Sequence, residues 1–260
     1  MPENTRIREF EATLPIGFTD EDGERQKRAV LRKMTGREEA ILADKRNLKN
    51  GGKLVTELLA SCLVRLGDRE RNGTTARLVS SMYSVDRNYL LLKLRSITFG
   101  PELSASYTCP HCSEVVKTVE NLDELPVKSL EEDDSAEEIK LELKDGYLDR
   151  DGQVHTAITL RLPTGADEEA VAPQIRQNPA EGKNCLLARC LKSLGDIPAT
   201  RVDAIGTKIV SDLTLADRRQ IDRAISQAAP GVNLIRTIEC AACGNTFTSS
   251  LDLSRFLALE

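Results

Sequence analysis

Four cysteines in two pairs, Cys109 with Cys112 and Cys240 with Cys243, carry the clearest chemical signal in this chain. Two intervening residues let both thiolates of a pair face one metal ion. Two such pairs complete the closed tetrahedral set of a structural zinc site. Gly244 suits a tight turn after the second pair, and strands predicted over 103–108 and 232–239 flank the pairs as in a zinc ribbon. An all-cysteine set leaves no open coordination position, so Zn2+ held this way is structural rather than catalytic. From the residues alone two other readings stay open: four free thiols, or a redox pair, although a thioredoxin-like pair needs a βαβ setting that the pattern lacks. The other three of the seven cysteines, Cys62, Cys185 and Cys190, read as buried helix residues, because free cysteine behaves as a small hydrophobe.

No other constellation competes with the cysteines. The two histidines, His111 and His155, have no nucleophile–acid arrangement around them, so no catalytic residues are assigned and an enzyme is not expected. The Asp-x-Asp-Gly turns at 20–23 and 149–152 are too short of oxygen ligands for a calcium loop and read as hairpin turns. Asn50-Gly51-Gly52-Lys53 precedes a predicted helix but lacks the spacing of a phosphate loop.

The elements that must bring the cysteines together are written twice. Residues 18–36 align without a gap to 147–165, with Asp20/Asp149, Gly23/Gly152, Leu31/Leu160, Arg32/Arg161, Thr35/Thr164 and Gly36/Gly165 as matches. Residues 57–68 pair with 185–196 and place Cys62 on Cys190; Asp86-Arg87 pairs with Asp217-Arg218; and the first cysteine pair falls on the second. Collinear blocks in one order imply a tandem duplication. Each copy is predicted as a β-hairpin with about three helices. Val154, Thr156, Ile158, Leu160 and Leu162 alternate as in a half-buried strand. Thr35 with Glu38 has capping-box spacing, and Thr164 with Asp167 repeats it. A helix is predicted over 53–66, stopped by Gly67, with Gly195 stopping its counterpart. A third helix begins at Ser84 or Thr214, with Asp86 and Asp217 in its first turn, where the helix dipole favours them. The 89–94 stretch is apolar and marks that helix as central, whereas 215–228 is more polar.

These readings give an α+β fold of two pseudo-equivalent lobes, 1–122 and 139–260, joined by a zinc-ribbon-like four-cysteine site. The acidic stretch 123–138, with Glu131-Glu132-Asp133-Asp134, reads as a flexible linker. The charge of -5 and the 3 % aromatic content argue against nucleic acid, which needs excess cations and stacking rings. The basic cluster Arg25, Lys27, Arg28, Arg32 and Lys33 reads as a solvated strand face. No apolar run spans a bilayer and the polar N-terminus is not a signal peptide, so no membrane partner is expected and the chain is placed in the cytoplasm or in a particle assembled there.

Met34-Thr35-Gly36-Arg37-Glu38-Glu39, the leucine-rich stretch to Asp68, Asp86-Arg87-Asn88-Tyr89-Leu90-Leu91, Arg95 through Phe99-Gly100, and Cys109-Pro110-His111-Cys112 together resemble the T4-type bacteriophage baseplate protein family. The resemblance covers about residues 30–115 and reaches the second half through the repeat. It implies a non-enzymatic hub component, or hub-assembly protein, of a contractile tail or related injection system, with baseplate hub, spike or tube proteins as partners. The competing reading is a zinc-ribbon nucleic-acid-binding or regulatory module. That reading needs a basic face near the knuckles, where Glu114, Glu120 and Glu239 lie beside Lys117 and Arg236.

Overall fold

A computed structural model describes residues 9–19, 23–70, 76–130 and 138–251; Asp20, Asp22 and the acidic run at 131–134 lie outside them. Mixed helix and sheet follow the predicted α+β class. A hairpin of β1 (Glu9–Thr19) and β2 (Arg25–Arg32) leads to α1 (Gly36–Ala43), α2 (Gly51–Cys62), β3 (Leu63–Leu66), β4 (Arg69–Glu70), α3 (Ala76–Ser81) and the long α4 (Ser84–Phe99). A second hairpin, β5 (Glu102–Thr108) and β6 (Val115–Asn121), and the short β7 (Val127–Lys128) come next. Then follow β8 (Ile139–Leu148), β9 (Val154–Leu160), α5 (Gly165–Gln177), α6 (Pro179–Cys190), β10 (Leu191–Leu194), α7 (Ala199–Asp212), α8 (Leu215–Ala228), β11 (Gly231–Val232), and a last hairpin of β12 (Ile235–Glu239) and β13 (Thr246–Ser250). The sheets run β1-β2-β3-β4 and β10-β9-β8, with two-stranded pairs β11-β7, β12-β13 and β5-β6.

The predicted helix over 53–66 is shorter than its apolar pattern suggests. α2 ends at Cys62, and the next four residues leave it as β3, pairing Leu66 with Ala29 and Leu63 with Leu31. β2 satisfies the backbone groups that a longer helix would have satisfied internally, and both conformations bury Leu63 and Leu66. The same switch takes α6 into β10 at Leu191, so Gly67 and Gly195 end strands, not helices.

β9 also departs from simple alternation. Ile158, Leu160 and Leu162 are buried, but Val154 is exposed and His155 is buried in its place. The phase changes at an irregularity in which residues 143–146 of β8 stand opposite Thr156 alone. Three amides freed there, those of Lys144, Asp145 and Gly146, donate to the carboxylate of Asp217 at 2.8–3.1 Å. β1 has the matching irregularity over 14–17, and the amides of Ile16 and Gly17 donate to Asp86 at 2.8 and 2.9 Å. Asp86 and Asp217 sit in the first helical turn as expected, but their larger task is to satisfy the backbone of a bulged strand on another element. Burial pushes Asp86 up to about 6 against the two amide bonds that favour its charged form.

Both capping boxes form. The Glu38 carboxylate accepts from the Thr35 amide at 2.8 Å and Asp167 from the Thr164 amide at 2.9 Å. Each carboxylate also takes an arginine from the preceding strand, Arg32 at 2.7 Å and Arg161 at 2.6 Å. Burial works against ionisation at both, but these bonds prevail, holding Glu38 well below the usual carboxylate range and Asp167 at about 2. A depressed acid stabilises the fold above its unfolded pKa and loses that contribution as pH falls toward the folded value. Glu38 and Asp167 therefore make the fold acid-labile below about pH 4. In urea titrations from pH 7 to 3, Glu38→Gln and Asp167→Asn should each start less stable than the parent and lose less on acidification. Parallel curves for parent and variants would show that these bonds do not survive in solution.

Among α2, α3 and α5, Arg87 of α4 is fully buried. Its guanidinium donates to Thr56 Oγ1 at 2.8 Å, the Gly52 carbonyl at 2.8 Å and the Val79 carbonyl at 3.3 Å. Glu168 and Glu169 of α5 stand 3.6 and 3.9 Å away. The core lies in three clusters. One gathers α2, α4 and β1–β3, and another gathers β8–β10 and α6–α8 together with Ile16 of β1. The small third cluster contains Cys109 and Cys240.

The stretch expected as a flexible linker is folded over 123–130. Leu125 and the neighbouring Leu122 are buried in the third cluster, Asp123 pairs with Lys93 at 2.8 Å and accepts from Ser96 Oγ at 2.9 Å, and Leu130 N–H bonds the Pro15 carbonyl. Its acidic composition concealed two leucines, Leu125 and Leu130, spaced to reach the core.

Candidate metal centre

Each cysteine pair occupies the turn of a two-stranded hairpin. Thr108 faces Val115 across the first and Glu239 faces Thr246 across the second, closing the ladders just below the cysteines. The two turns have the same backbone bonds: Cys109 N–H to Glu114 O and Cys240 N–H to Asn245 O, both 2.9 Å, then Ser113 N–H to Cys109 O and Gly244 N–H to Cys240 O, at 2.9 and 2.7 Å. These bonds require a left-handed residue after the second cysteine, with φ of 71° at Gly244 and 63° at Ser113.

The strands entering and leaving the hairpins hold them side by side. β7 pairs with β11, placing Val127 opposite Val232, and Asn233 N–H bonds the Pro126 carbonyl at 2.8 Å. Arg236 of β12 reaches Glu120 of β6 at 3.2 Å, and Tyr107 donates to the same carboxylate. Burial and then the Glu120 charge push Tyr107 up to about 12, so it remains a donor. Leu92 of α4 packs beneath with Ile238 and Phe247.

All four sulfurs fall within 4.8 Å of one another. Two contacts cross between the hairpins, Cys109 to Cys243 at 3.8 Å and Cys112 to Cys240 at 3.6 Å. A tetrahedron with metal–sulfur bonds of about 2.3 Å separates its sulfurs by about 3.8 Å, so the set fits one ion. Cys109 and Cys240 are buried, while Cys112 and Cys243 face solvent. The backbone and side-chain amides of Asn245 lower Cys243 to about 7, the latter lying 3.5 Å from Sγ. These four cysteines are the one metal-capable cluster of His, Cys, Asp or Glu among the described residues, and they could bind a metal ion.

The other candidates fall elsewhere. His111 is exposed in the first turn, outside the cluster. His155 bonds Asp149 at 3.0 Å, and Asp149 accepts from the amides of Asp151 and Gln153, which is hairpin-turn geometry. Cys62 and Cys190 are buried as expected, but Cys185 is only half-buried on α6. Asn50 caps α2, and Gly52 lies against the α5 backbone, so this Asn-Gly-Gly run serves helix packing. Several members of the basic cluster have partners within the chain: Arg28 pairs with Glu11, Arg32 with Glu38, Lys27 with the Leu130 carbonyl, and Lys33 lies over the Phe10 ring. Sequence reading had not paired Arg236 with Glu120 or aimed Asn245 at Cys243. Only the position of Asn245 just after the knuckle hinted at such a role.

The family described as T4 bacteriophage base plate protein matches residues 9–258, both knuckles included. The chain belongs to this family. No curated protein and no solved structure matches it. Among the described residues of this base plate protein, no helix is long and apolar enough to cross a membrane. Its two knuckles place serine in one and glycine in the other at the left-handed residue, where a non-glycine side chain costs roughly 1–2 kcal/mol. Ser113→Gly should thus raise stability by a few tenths to about 1 kcal/mol after the entropy of glycine is set against that strain, read as a shifted urea midpoint. A lower midpoint would mean that Ser113 leaves the left-handed region in solution.

Proposed function

We propose that this protein is a non-enzymatic structural or assembly component of a contractile phage tail or phage-like injection system, working at the baseplate hub with hub, spike or tube proteins. The single observation behind this reading is the base plate family match across residues 9–258. In this reading the chain is an internal duplication with lobes 1–122 and 139–260. Cys109, Cys112, Cys240 and Cys243 hold one structural zinc ion that ties the lobes. The sulfur spacing and the all-thiolate donor set support zinc, which takes tetrahedral sulfur sites without redox chemistry. When bound, the ion supplies cross-linking and no reactive position. Assembly would take place in the cytoplasm, followed by incorporation into the particle.

Tagged protein recovered from its native cell, alongside purified particles, tests the assignment by mass spectrometry. Co-purifying hub, spike or tube proteins would support it, and presence or absence in finished particles would separate a resident subunit from an assembly factor. Recovery of nucleic acid with no tail protein would overturn it in favour of the zinc-ribbon regulatory reading. Elemental analysis of the purified chain should return one zinc per protein.

A further inference from the structure

Gly165 and Gly36 hold the same place, the first residue of α5 and α1, each after a threonine that closes a capping box. Gly165 has an evident reason to be glycine. A Cβ there would stand 1.5 Å from Arg87 Nη1, because the 82–87 corner of α4 is seated directly on the start of α5. Tyr83 bridges Thr164, Ser84 N–H bonds the Pro163 carbonyl at 2.9 Å, and Gly165 N–H bonds the Met82 carbonyl at 3.0 Å. Gly36 has no such reason among the described residues. It is exposed, a Cβ would meet nothing within 4 Å, and its φ is not positive.

The corner that would sit on Gly36 also exists, at the start of α8. Asp217 there bonds the β8 bulge as Asp86 bonds the β1 bulge, and Arg218 follows it as Arg87 follows Asp86. Leu215 is 73 % exposed. Among the described residues Asn184 Oδ1 is buried with no hydrogen-bond partner, and Arg218 Nε shares with Arg87 Nε of the inner joint the lack of one. Asn184 takes on α6 the position that Thr56 takes on α2, where Thr56 bonds Arg87 at 2.8 Å. Beside Gly36 lies a crevice of about 170 Å³ lined by Met34, Thr35, Glu39, Leu42, Thr98 and Phe99. Phe99 is 51 % exposed, and Glu39 stands where Glu168 faces Arg87 in the inner joint.

We propose that copies of this chain associate head to tail, the 214–218 corner of one seated on the 34–39 corner of the next. Arg218 would then pass over Gly36 toward Glu39, and Leu215 would cover the crevice. The contact repeats between chains the joint that Arg87 makes within one, and it rests on the reading of the halves as duplicates. Ala40 replaces the second carboxylate, Glu169, so the outer joint is weaker than the inner one. A heterologous contact of this kind closes into a ring or continues as a filament, according to its rotation.

Sedimentation of the full chain from roughly 1 to 200 µM, where modest interfaces assemble, should show concentration-dependent growth. Gly36→Ala should weaken association by about tenfold or more while leaving the melting temperature unchanged or higher, because the added methyl is free in the monomer and collides only in the joint. Arg218→Glu should weaken association likewise, and combining it with Glu39→Arg should recover it. A monomer throughout the range would overturn the proposal, as would association indifferent to both substitutions. Superposing the two halves on each other tests the duplication separately: a monomer with superposable halves removes only the outer joint. Baseplate membership is read independently from particle mass spectrometry.

Discussion

With the proposed zinc ion in place, Cys240→Ser, or a strong chelator applied to the wild type, should release it and loosen both hairpins at once. Cys240 is completely buried in the third cluster, which gathers residues from β5, β12, β13 and α4. Each hairpin has only two strands, and isolated two-stranded hairpins are marginal in water. Without the ion, the tie between them falls to the small third cluster, the two-residue β7–β11 ladder with its Asn233–Pro126 bond, and the Arg236–Glu120 pair. Metal binding to structural cysteine sites is worth roughly 10–16 kcal/mol in small peptides, so a loss of several kcal/mol here is a modest expectation. Hydrogen exchange on the zinc-loaded and chelated protein reads the result. Amides of β5, β6, β12 and β13 should lose protection together, with α2 and α6 following less. Loss confined to the hairpin carrying the substitution would show that the two pairs do not share an ion.

Arg87→Ala should be the most damaging substitution outside the cysteines. It removes a buried guanidinium that four helices have arranged themselves around and leaves the Gly52 and Val79 carbonyls and Thr56 without their donor. It also takes the nearby cation from half-buried Glu168, whose pKa burial raises while Ser84 and then the Arg87 charge lower it. Breaking a buried ion pair from one side costs roughly 3–5 kcal/mol, against a total of about 5–15 kcal/mol for typical domains. Arg87→Met together with Glu168→Leu should recover much of this, since removing both charges avoids an uncompensated one. Urea unfolding at fixed pH measures all three proteins. A change under about 0.5 kcal/mol for Arg87→Ala, the range of ordinary surface substitutions, would mean that water reaches the guanidinium in solution.

The metal candidates were legible because their signal is local: two residues between cysteines leave few alternatives, and the second pair repeats the first. Both capping boxes were legible for the same reason, the bonded atoms being three residues apart. The misplaced helix end came from chemistry that does not distinguish conformations, since Leu63 and Leu66 are buried whether wound or extended. Asp86 and Asp217 were read only for their own helices because their partners lie 69–73 residues away. The register change in β9 was hidden by an apolar Val154 that faces solvent. Nothing in the acidic composition of 123–130 marked it as folded, because what orders it is a serine and a lysine on α4 and the backbone of β1.

The wide separation of the two knuckles bears on how each molecule is made. Cys109 and Cys243 lie 134 positions apart, yet their sulfurs are neighbours. At usual translation speeds the nascent chain carries a lone pair of thiols for roughly 7–27 s before the second pair leaves the ribosome. Two thiolates make only half of a tetrahedral site. A product broken off before residue 243 never completes the set of four thiols, so retention of the proposed ion would distinguish finished molecules from abandoned ones before any of them meets a neighbour.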